Sequence, residues 1–501
     1  MKMKTQRQIA FILAALLLFL MLIPGCAYEE IHSGLPPATY EGYVTLRVLL
    51  ANETTVLFDS VLWDIIQEFE KDHPNVEVEV QRLKEYKENF NSWEELQAEV
   101  KSGNGPDIFI LNTDDFPGKD TDMLLFPDVN KAMREGQFAN LSMYYDYDSE
   151  LNTAGLRQEV MDVGVVDGFR YTLPLTYDYP VMFVDQDKLK EAGLDENIFN
   201  GGVISVMDAI VELGDQTIAQ SASFYEQRYL FNFFPDLVDY DTGQVLLDRD
   251  KMIAFLESFF AYRALKGIKN GQDTRAASDF FGLLHESMKK DTWINQGMCM
   301  RTGWSLGDVV TETALAEISE INLDIYPLTG SDGQIVAEVR QYVAINYGCE
   351  NIPLAYELIR ELFTEKGQWY QTEFRLSGRW GGRSDRITCA LMGYPVRTEN
   401  SVGDIHDAFK MDLDVRSAFP EQVYNKIHET TLRDKDIPVL QETIDVIRYP
   451  TAGIEWKFAM DIVKEFEQNG WDPESVDIET AVDTLIAELE LYMWAEQPGA
   501  Y

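Results

Sequence analysis

Short apolar strands alternate with amphipathic helices near the start of the chain, and this alternation constrains the fold more than any other sequence feature. A strand pattern at 43–50 precedes residues 61–69, in which apolar side chains recur at helical spacing. Pro74 then ends the helix, residues 76–80 alternate apolar and acidic side chains, and 107–111 have the pattern of a buried strand. Strands separated by helices predict a parallel sheet built from βαβ units.

Later segments continue this pattern. Ser92 with Glu95 has the form of a capping box and predicts a helix that begins there and ends at Gly103. The remaining predicted elements are a strand at 181–184 and helices at 187–193, from Ser205, from Pro353 and at 478–496. The sequence contains no internal repeat.

The N-terminal segment has the layout of a secretory signal, because three basic residues precede an apolar run at 9–23 that is too short for a stable membrane span. Residues 23–26, Ile-Pro-Gly-Cys, resemble the lipobox of bacterial lipoproteins, although Pro24 stands where a small residue is usual. This resemblance implies cleavage after residue 25 and a lipid on Cys26. The alternative is an ordinary signal peptide followed by an incidental cysteine.

Residues 26–42 are rich in Gly, Pro, Ser and Glu, and we expect them to form a flexible tether. Without residues 1–25 the chain keeps 39 Lys and Arg against 85 Asp and Glu, a formal charge of −46. Such a charge repels phosphates and anionic lipid headgroups, so nucleic acid is excluded as a partner. A hydrophobic fraction of 46% nevertheless predicts two or three domains with real cores.

Cysteine and histidine spacing indicates neither a disulfide framework nor a metal site. Beyond Cys26 the thiols are Cys299, Cys349 and Cys389, which are predicted to be buried and free, with one bridge left open. The five histidines are scattered without ligand spacing. We therefore expect no metal and no cofactor.

Four stretches, taken in order, resemble extracellular solute-binding proteins of ABC importers, in the branch that contains the maltodextrin-binding proteins. They are Gly105-Pro106-Asp107-Ile108; Tyr171-Thr172-Leu173-Pro174 with 183–187 and Ala192-Gly193-Leu194; 296–300 with Gly303-Trp304-Ser305; and 350–368. The resemblance spans about Tyr43 to Trp494. The chain departs from the family at Val184-Asp185, where Tyr-Asn is usual, and at 340–346, which lack a Gly-rich, Ser-Lys ending.

The resemblance implies an α/β, two-lobed, periplasmic-binding-protein-like fold of type II with discontinuous lobes. Lobe 1 would comprise 43–180 plus 334–371, and lobe 2 would comprise 181–333 plus 372–501. The hinge segments would cross near 179–181, near 329–334 and near Gln371. Because ligands bind beyond the strand ends of open α/β sheets, a cleft between two such sheets is the expected binding site.

Acidic residues near predicted strand ends are candidate ligand contacts. Asp114 and Asp115 follow a buried strand, and the resemblance implies contacts to sugar hydroxyls, which a carboxylate accepts well. A helix cap or a loop acid is the alternative. Asp178 aligns with an acidic contact at the hinge, where Tyr177 and Tyr179 add flat apolar faces. Glu53, in the loop after the first strand, is a further candidate.

Two tryptophans are candidate sugar-stacking residues, since an indole packs well against the C–H face of a sugar ring. Trp304 follows the strand at 296–303, and the alternative is a core tryptophan beside Met298 and Met300. Trp380, in a stretch rich in Gly and Arg, could line the cleft from the second lobe.

The sequence also allows a hydrolase. Gly303-Trp304-Ser305-Leu306-Gly307 matches the Gly-x-Ser-x-Gly pattern of a nucleophile elbow, and His406 and His428 are the histidines available after Ser305. No His-Gly-Gly oxyanion segment lies upstream. A glycoside hydrolase would need only a pair of carboxylates, which this acidic chain could supply at many positions. A surface scaffold, with neither a cleft nor lobe closure, is a third class of function.

The combined expectation is a non-enzymatic, lipid-anchored substrate-binding component of an ABC importer, on the extracytoplasmic side of the membrane. It would capture a mono- or oligosaccharide and deliver it to the permease subunits. Lipid on Cys26 would hold it near those partners.

Overall fold

The structure is a computed structural model. It describes residues 38, 40–51, 56–87, 90–113, 124–153, 155–214, 222–223, 230–266, 300–303, 309, 316, 321–330, 332–364, 367–368, 374–377, 386–389, 393–397, 444–470 and 472–495.

The strands are β1 Val44–Leu50, β2 Val76–Arg82, β3 Ile108–Asn112, β4 Val165–Val166, β5 Phe169–Arg170, β6 Thr172–Asp178, β7 Val181–Asp185, β8 Ala222–Ser223, β9 Val238–Asp239, β10 Gln244–Val245, β11 Met300–Gly303, β12 Leu323–Pro327, β13 Val336–Ile345, β14 Phe374–Ser377, β15 Arg386–Cys389, β16 Tyr394–Pro395 and β17 Val446–Arg448.

The helices are α1 Val56–Asp72, α2 Leu83–Lys87, α3 Phe90–Lys101, α4 Val129–Arg134, α5 Ser142–Tyr147, α6 Ser149–Thr153, α7 Gln158–Met161, α8 Gln186–Glu191, α9 Gly202–Leu213, α10 Arg249–Lys266, α11 Ile352–Arg360, α12 Ala452–Gln468 and α13 Ile478–Ala495. Short 3₁₀ turns span Asp162–Gly164, Glu196–Gly201, Glu361–Phe363 and Pro473–Ser475.

A seven-stranded sheet organises one lobe, here called the first lobe. Its strand order is β16-β6-β13-β3-β1-β2, with β17 also paired to β13. The predicted parallel unit is confirmed, because β1 pairs in parallel with both β2 and β3. Successive side chains of β3 face opposite sides: Ile108 and Ile110 join one apolar core, and Phe109 and Leu111 join another. The sheet is therefore covered on both faces.

A four-stranded sheet with the order β12-β7-β11-β8 organises the second lobe. Its central strand β7 is antiparallel to both β11 and β12. Met182 and Val184, on one face of β7, pack into a core with Phe255, Ile462 and Leu485 from α10, α12 and α13. Two sheets with separate helical layers make the chain a mixed α/β protein, as predicted.

Among the described residues, three segments connect the first lobe to the second, and they are here called hinge segments. The chain passes from β6 to β7 through 179–180, from β12 to β13 through 328–335, and from β17 to α12 through 449–451. The first two are joined directly, since the Leu328 N–H donates to the Pro180 carbonyl at 2.9 Å. The predicted crossing near Gln371 lies outside the described residues.

Two glycines allow the second hinge segment to pass close to the second lobe. A Cβ on Gly330 would lie 2.3 Å from the Phe233 carbonyl oxygen. Gly202 has φ +73°, and a Cβ there would lie 2.7 Å from the Thr329 carbonyl oxygen. A side chain at Gly330 would therefore push the segment away from Phe233, and one at Gly202 would push it away from the start of α9.

A buried cation joins the lobes beside the third hinge segment. Arg448, on β17 of the first lobe, donates to Glu338 on β13 at 2.5 Å and to Glu455 on α12 at 2.6 and 3.1 Å. Arg448 is 2% exposed, and it also donates to the Phe231 carbonyl of the second lobe at 3.3 Å. Burial raises the pKa of Glu338, and the guanidinium opposes this shift.

Some boundaries differ from the predictions. The helix expected to begin at Ser92 begins at Phe90, so Ser92 lies within α3 and is not its cap. The assignment of 372–501 to the second lobe stays a prediction as a whole, but β16 and β17 within it pair with the sheet of the first lobe. Cys349 is buried and free, as expected.

Replacing Arg448 with Met should lower the free energy of unfolding by about 3–5 kcal/mol, because two buried carboxylates lose their cation. Chemical denaturation would measure the loss. Arg249→Met is the matched control, since Arg249 bridges Asp483 and Glu479 at the surface, and its loss should change stability far less. Equal stability of Arg448→Met and the unmodified chain would contradict a stabilising role for the cation.

Candidate functional site

The carboxyl ends of several strands meet at one edge of the seven-stranded sheet. The strand β13 is antiparallel to both β3 and β6, so β6 runs in the same direction as β1, β2 and β3. This edge therefore carries Leu50, Arg82, Asn112 and Asp178 at the ends of four strands. Because β6 continues through 179–180 into β7, its end adjoins the second lobe. Such an edge is the ordinary place for a ligand in an α/β protein.

Asp178 is a partly accessible acid at the hinge end of this edge. Its Oδ2 lies 3.6 Å from Nε of Arg340, and both side chains are 13% exposed. The Asp178 backbone pairs with Glu338 on β13, and Gly393 passes so close that a Cβ there would lie 2.8 Å from Oδ1 of Asp178. A carboxylate that accepts and a guanidinium that donates are thus held together, a combination that can hydrogen-bond to neighbouring hydroxyl groups.

Sequence reasoning did not select Arg340 as a binding residue. The reason is that Arg340 comes near Asp178 only through the antiparallel register of β13 on β6, about 160 residues apart in the chain. A charged residue inside a largely apolar strand was the available signal, because buried charged residues are usually paired.

Tyr177 and Tyr179 support the segment on which Asp178 lies. Each is 2% exposed, and their rings stack on Tyr394 with centroid distances of 5.6 and 4.7 Å. The Tyr177 hydroxyl accepts a hydrogen bond from Arg157 at 2.5 Å, while burial raises the pKa of Tyr177. In this conformation the ring faces therefore pack against protein, and a direct ligand contact by either tyrosine remains a prediction.

The remaining selected residues lie outside the described ranges: Glu53, Asp114, Asp115, Trp304, Trp380, Cys26, Ser305, His406 and His428. Two described residues directly precede members of this set in the sequence. Thr113, just before Asp114, donates from its hydroxyl to the Val339 carbonyl at 2.8 Å and from its N–H to the Arg340 carbonyl at 3.0 Å. Gly303, just before Trp304, pairs with Val181 beside the first hinge segment.

A second contact between the lobes centres on Asp128, which immediately precedes α4. Burial raises the pKa of its carboxyl group, which accepts hydrogen bonds from the hydroxyls of Tyr240 and Tyr492 in the second lobe. Asp128 also caps α4 by accepting from the Lys131 N–H at 3.0 Å. Arg134 on the same helix donates to Asp241 at 2.8 Å. The lobes are thus tied together at a position separate from the candidate site.

Neither a metal cluster nor a membrane span is found in the described ranges. No group of three or more His, Cys, Asp or Glu residues there is arranged to hold a metal ion. Likewise, among the helices of those ranges, none combines the length and the apolar character needed to cross a membrane.

Solved structures share this architecture over nearly the whole chain. One is an ABC substrate-binding protein of Listeria monocytogenes in complex with cycloalternan, at 14% identity, TM-score 0.52, and 90% and 99% coverage of this chain and that one. The GacH receptor of Streptomyces glaucescens, described unliganded and with acarbose, has 15% identity, TM-score 0.52, and 91% and 100% coverage. A de novo designed cysteine esterase has 14% identity, TM-score 0.55, and 91% and 99% coverage.

At such low identity these likenesses establish the fold, and they confirm the predicted two-lobed, periplasmic-binding-protein-like architecture. A comparison with curated proteins finds no significant sequence match. The family model for bacterial extracellular solute-binding proteins, in contrast, matches residues 55–369, which is more than half of the chain. The chain belongs to the family of bacterial extracellular solute-binding proteins.

Proposed function

We propose that this protein is the substrate-binding component of an ABC importer and that it captures a carbohydrate between its lobes. The observation that carries this proposal is the Asp178–Arg340 pair at the strand edge beside the first hinge segment. Sugar hydroxyls both donate and accept hydrogen bonds, so they match a paired carboxylate and guanidinium. The cycloalternan and acarbose complexes of the similar Listeria and Streptomyces proteins support this ligand class.

Capture would be reversible. The segments at 179–180, 328–335 and 449–451 would let one lobe rotate against the other, and ligand would favour the conformation in which both lobes contact it. The closed form would then dock on the permease subunits. Glu53, Asp114, Asp115, Trp304 and Trp380 complete the proposed set of contacts.

Membership of a solute-binding family supports a non-enzymatic role. Binding and release need no covalent step, and the Asp178–Arg340 pair lacks a nucleophile of the Ser or Cys type. The designed esterase shares the fold with this chain, but the esterase activity belongs to that design. A serine-hydrolase function would depend on Ser305.

The lipid anchor on Cys26 is part of the proposal. An anchored protein stays near its membrane partner, which raises the effective concentration without any new contact. Ala38 and Tyr40 pack against the core of the first lobe, and the Tyr40 hydroxyl lies 3.3 Å from Nδ1 of His73. The predicted tether, residues 26–42, therefore includes two residues that pack on the folded body.

Asp178→Asn should weaken sugar binding about ten- to hundredfold, because the amide keeps the size of the side chain but loses the charged acceptor. Calorimetric titration with linear gluco- and manno-oligosaccharides would measure the dissociation constant. Asp208→Asn, on the exposed side of α9, is the matched control and should bind as the unmodified protein does. If Asp178→Asn binds sugar as tightly as the control Asp208→Asn does, Asp178 is not part of the binding site.

Cys26→Ser should release the protein from the membrane and impair sugar uptake, whereas the affinity for sugar should stay unchanged because Cys26 is not one of the proposed sugar contacts. Membrane fractionation would measure the release, and transport assays would measure the loss of uptake. Titration of the released protein with sugar would measure its affinity. A variant that stays in the membrane fraction, or that binds sugar more weakly, would contradict the lipid-tether proposal.

A fluorophosphonate probe should fail to label Ser305, because the proposed role involves no activated serine. Mass spectrometry of the labelled protein, with Ser305→Ala as the control, would show this directly. Stoichiometric labelling of the unmodified chain that disappears in Ser305→Ala, together with turnover of a simple ester, would instead support a serine hydrolase.

A further inference from the structure

An exposed tryptophan borders an apolar cavity far from Asp178. Trp63 on α1 is 56% exposed although it is a large aromatic residue. It lines a cavity of about 350 Å³ together with Leu62 and Ile66 of the same helix and Leu50 and Val80 of the sheet. The walls of the cavity are therefore mostly apolar, and the exposed indole of Trp63 forms part of its rim.

The fold builds this cavity where β1 and β2 end. Leu50 and Arg82, the last residues of the two strands, pair with each other, and β2 is the edge strand of the sheet. Asp59 and Trp63 lie one helical turn apart on α1, which packs over this corner. Arg82 forms an ion pair with Asp59. The cavity thus combines apolar walls with one carboxylate and one guanidinium that are partly accessible.

This combination matches the surface of a sugar ring. The C–H face of a pyranose packs against an indole, and its hydroxyls hydrogen-bond to a carboxylate and a guanidinium. The volume lies within the range of small-molecule sites. An anionic ligand is disfavoured by the formal charge of −43 on the chain.

The separation from Asp178 indicates the length of the ligand. Four strand steps lie between β6 and β2 in the order β6-β13-β3-β1-β2, which corresponds to about 19 Å across the sheet. Asp178 also lies farther along the strand direction than Leu50 does. The pairings through β3 and β13 place Leu50 level with Leu173, which precedes Asp178 in β6. A monosaccharide bound at Asp178 would not reach the cavity, whereas an oligosaccharide would.

We propose that the cavity at Trp63 is an outer subsite that binds one ring of an oligosaccharide whose other end lies at Asp178. This inference rests on the proposed function and deepens it, because it specifies a ligand of several linked sugars. Affinity should therefore increase with ligand length until the chain of sugars reaches Trp63.

Titration of Trp63→Ala with linear gluco- and manno-oligosaccharides, from the monosaccharide to the hexasaccharide, tests the subsite. For the series that binds, we expect about a tenfold loss of affinity for the longest ligands and no change for the monosaccharide. Trp63→Phe, which keeps an aromatic face, should restore part of that loss. Trp494→Ala, a tryptophan 53% exposed on α13, is the matched control and should behave as the unmodified protein.

The outcomes separate this inference from the proposed function. Binding of sugars by the unmodified chain with no effect of Trp63→Ala, or with an equal effect at every length, would overturn the subsite while leaving the proposed function standing. Failure of the unmodified chain to bind any saccharide would overturn both. Melting temperatures of all variants would show that the exposed substitutions leave the fold intact.

Discussion

The arrangement of the two lobes depends on the ion pairs that the buried Arg448 side chain forms. A guanidinium with 2% exposure needs carboxylate partners, and these come from both lobes, Glu338 from β13 and Glu455 from α12. Glu455 also accepts from the Thr451 N–H at 3.0 Å, which fixes the third hinge segment to the same group. Charge compensation thus couples the hinge to the interiors of both lobes.

Strand direction explains why the candidate binding residues share one edge. Parallel β1, β2, β3 and β6 bring their carboxyl ends to the side that adjoins the second lobe. Asp178 occupies the hinge end of this edge, and the Trp63 cavity occupies the opposite end beside the edge strand β2. An elongated ligand along the edge would contact both, which is the arrangement that the proposed recognition of an oligosaccharide needs.

Local sequence patterns predicted most of the secondary structure. Strands β1, β2, β3 and β7 and helices α1, α11 and α13 were expected near their observed positions, because apolar periodicity reports which side of an element is buried. The prediction that α3 begins at Ser92 was wrong, because the helix begins at Phe90. The short strands β16 and β17 carried no usable signal, because two or three residues show no periodicity.

The sequence by itself determined the family, the α/β class and an acid at the first hinge segment, because these depend on motifs and periodicities within short stretches. Only the tertiary structure decided which residues meet: Arg340 with Asp178, Arg448 with Glu338 and Glu455, and Trp63 with the strand ends at Leu50 and Arg82. It also turned Tyr177 and Tyr179 toward Tyr394. The physical reason is that sheet register and helix packing, which join distant parts of the chain, are set by burial of the whole core and leave no trace in local spacing.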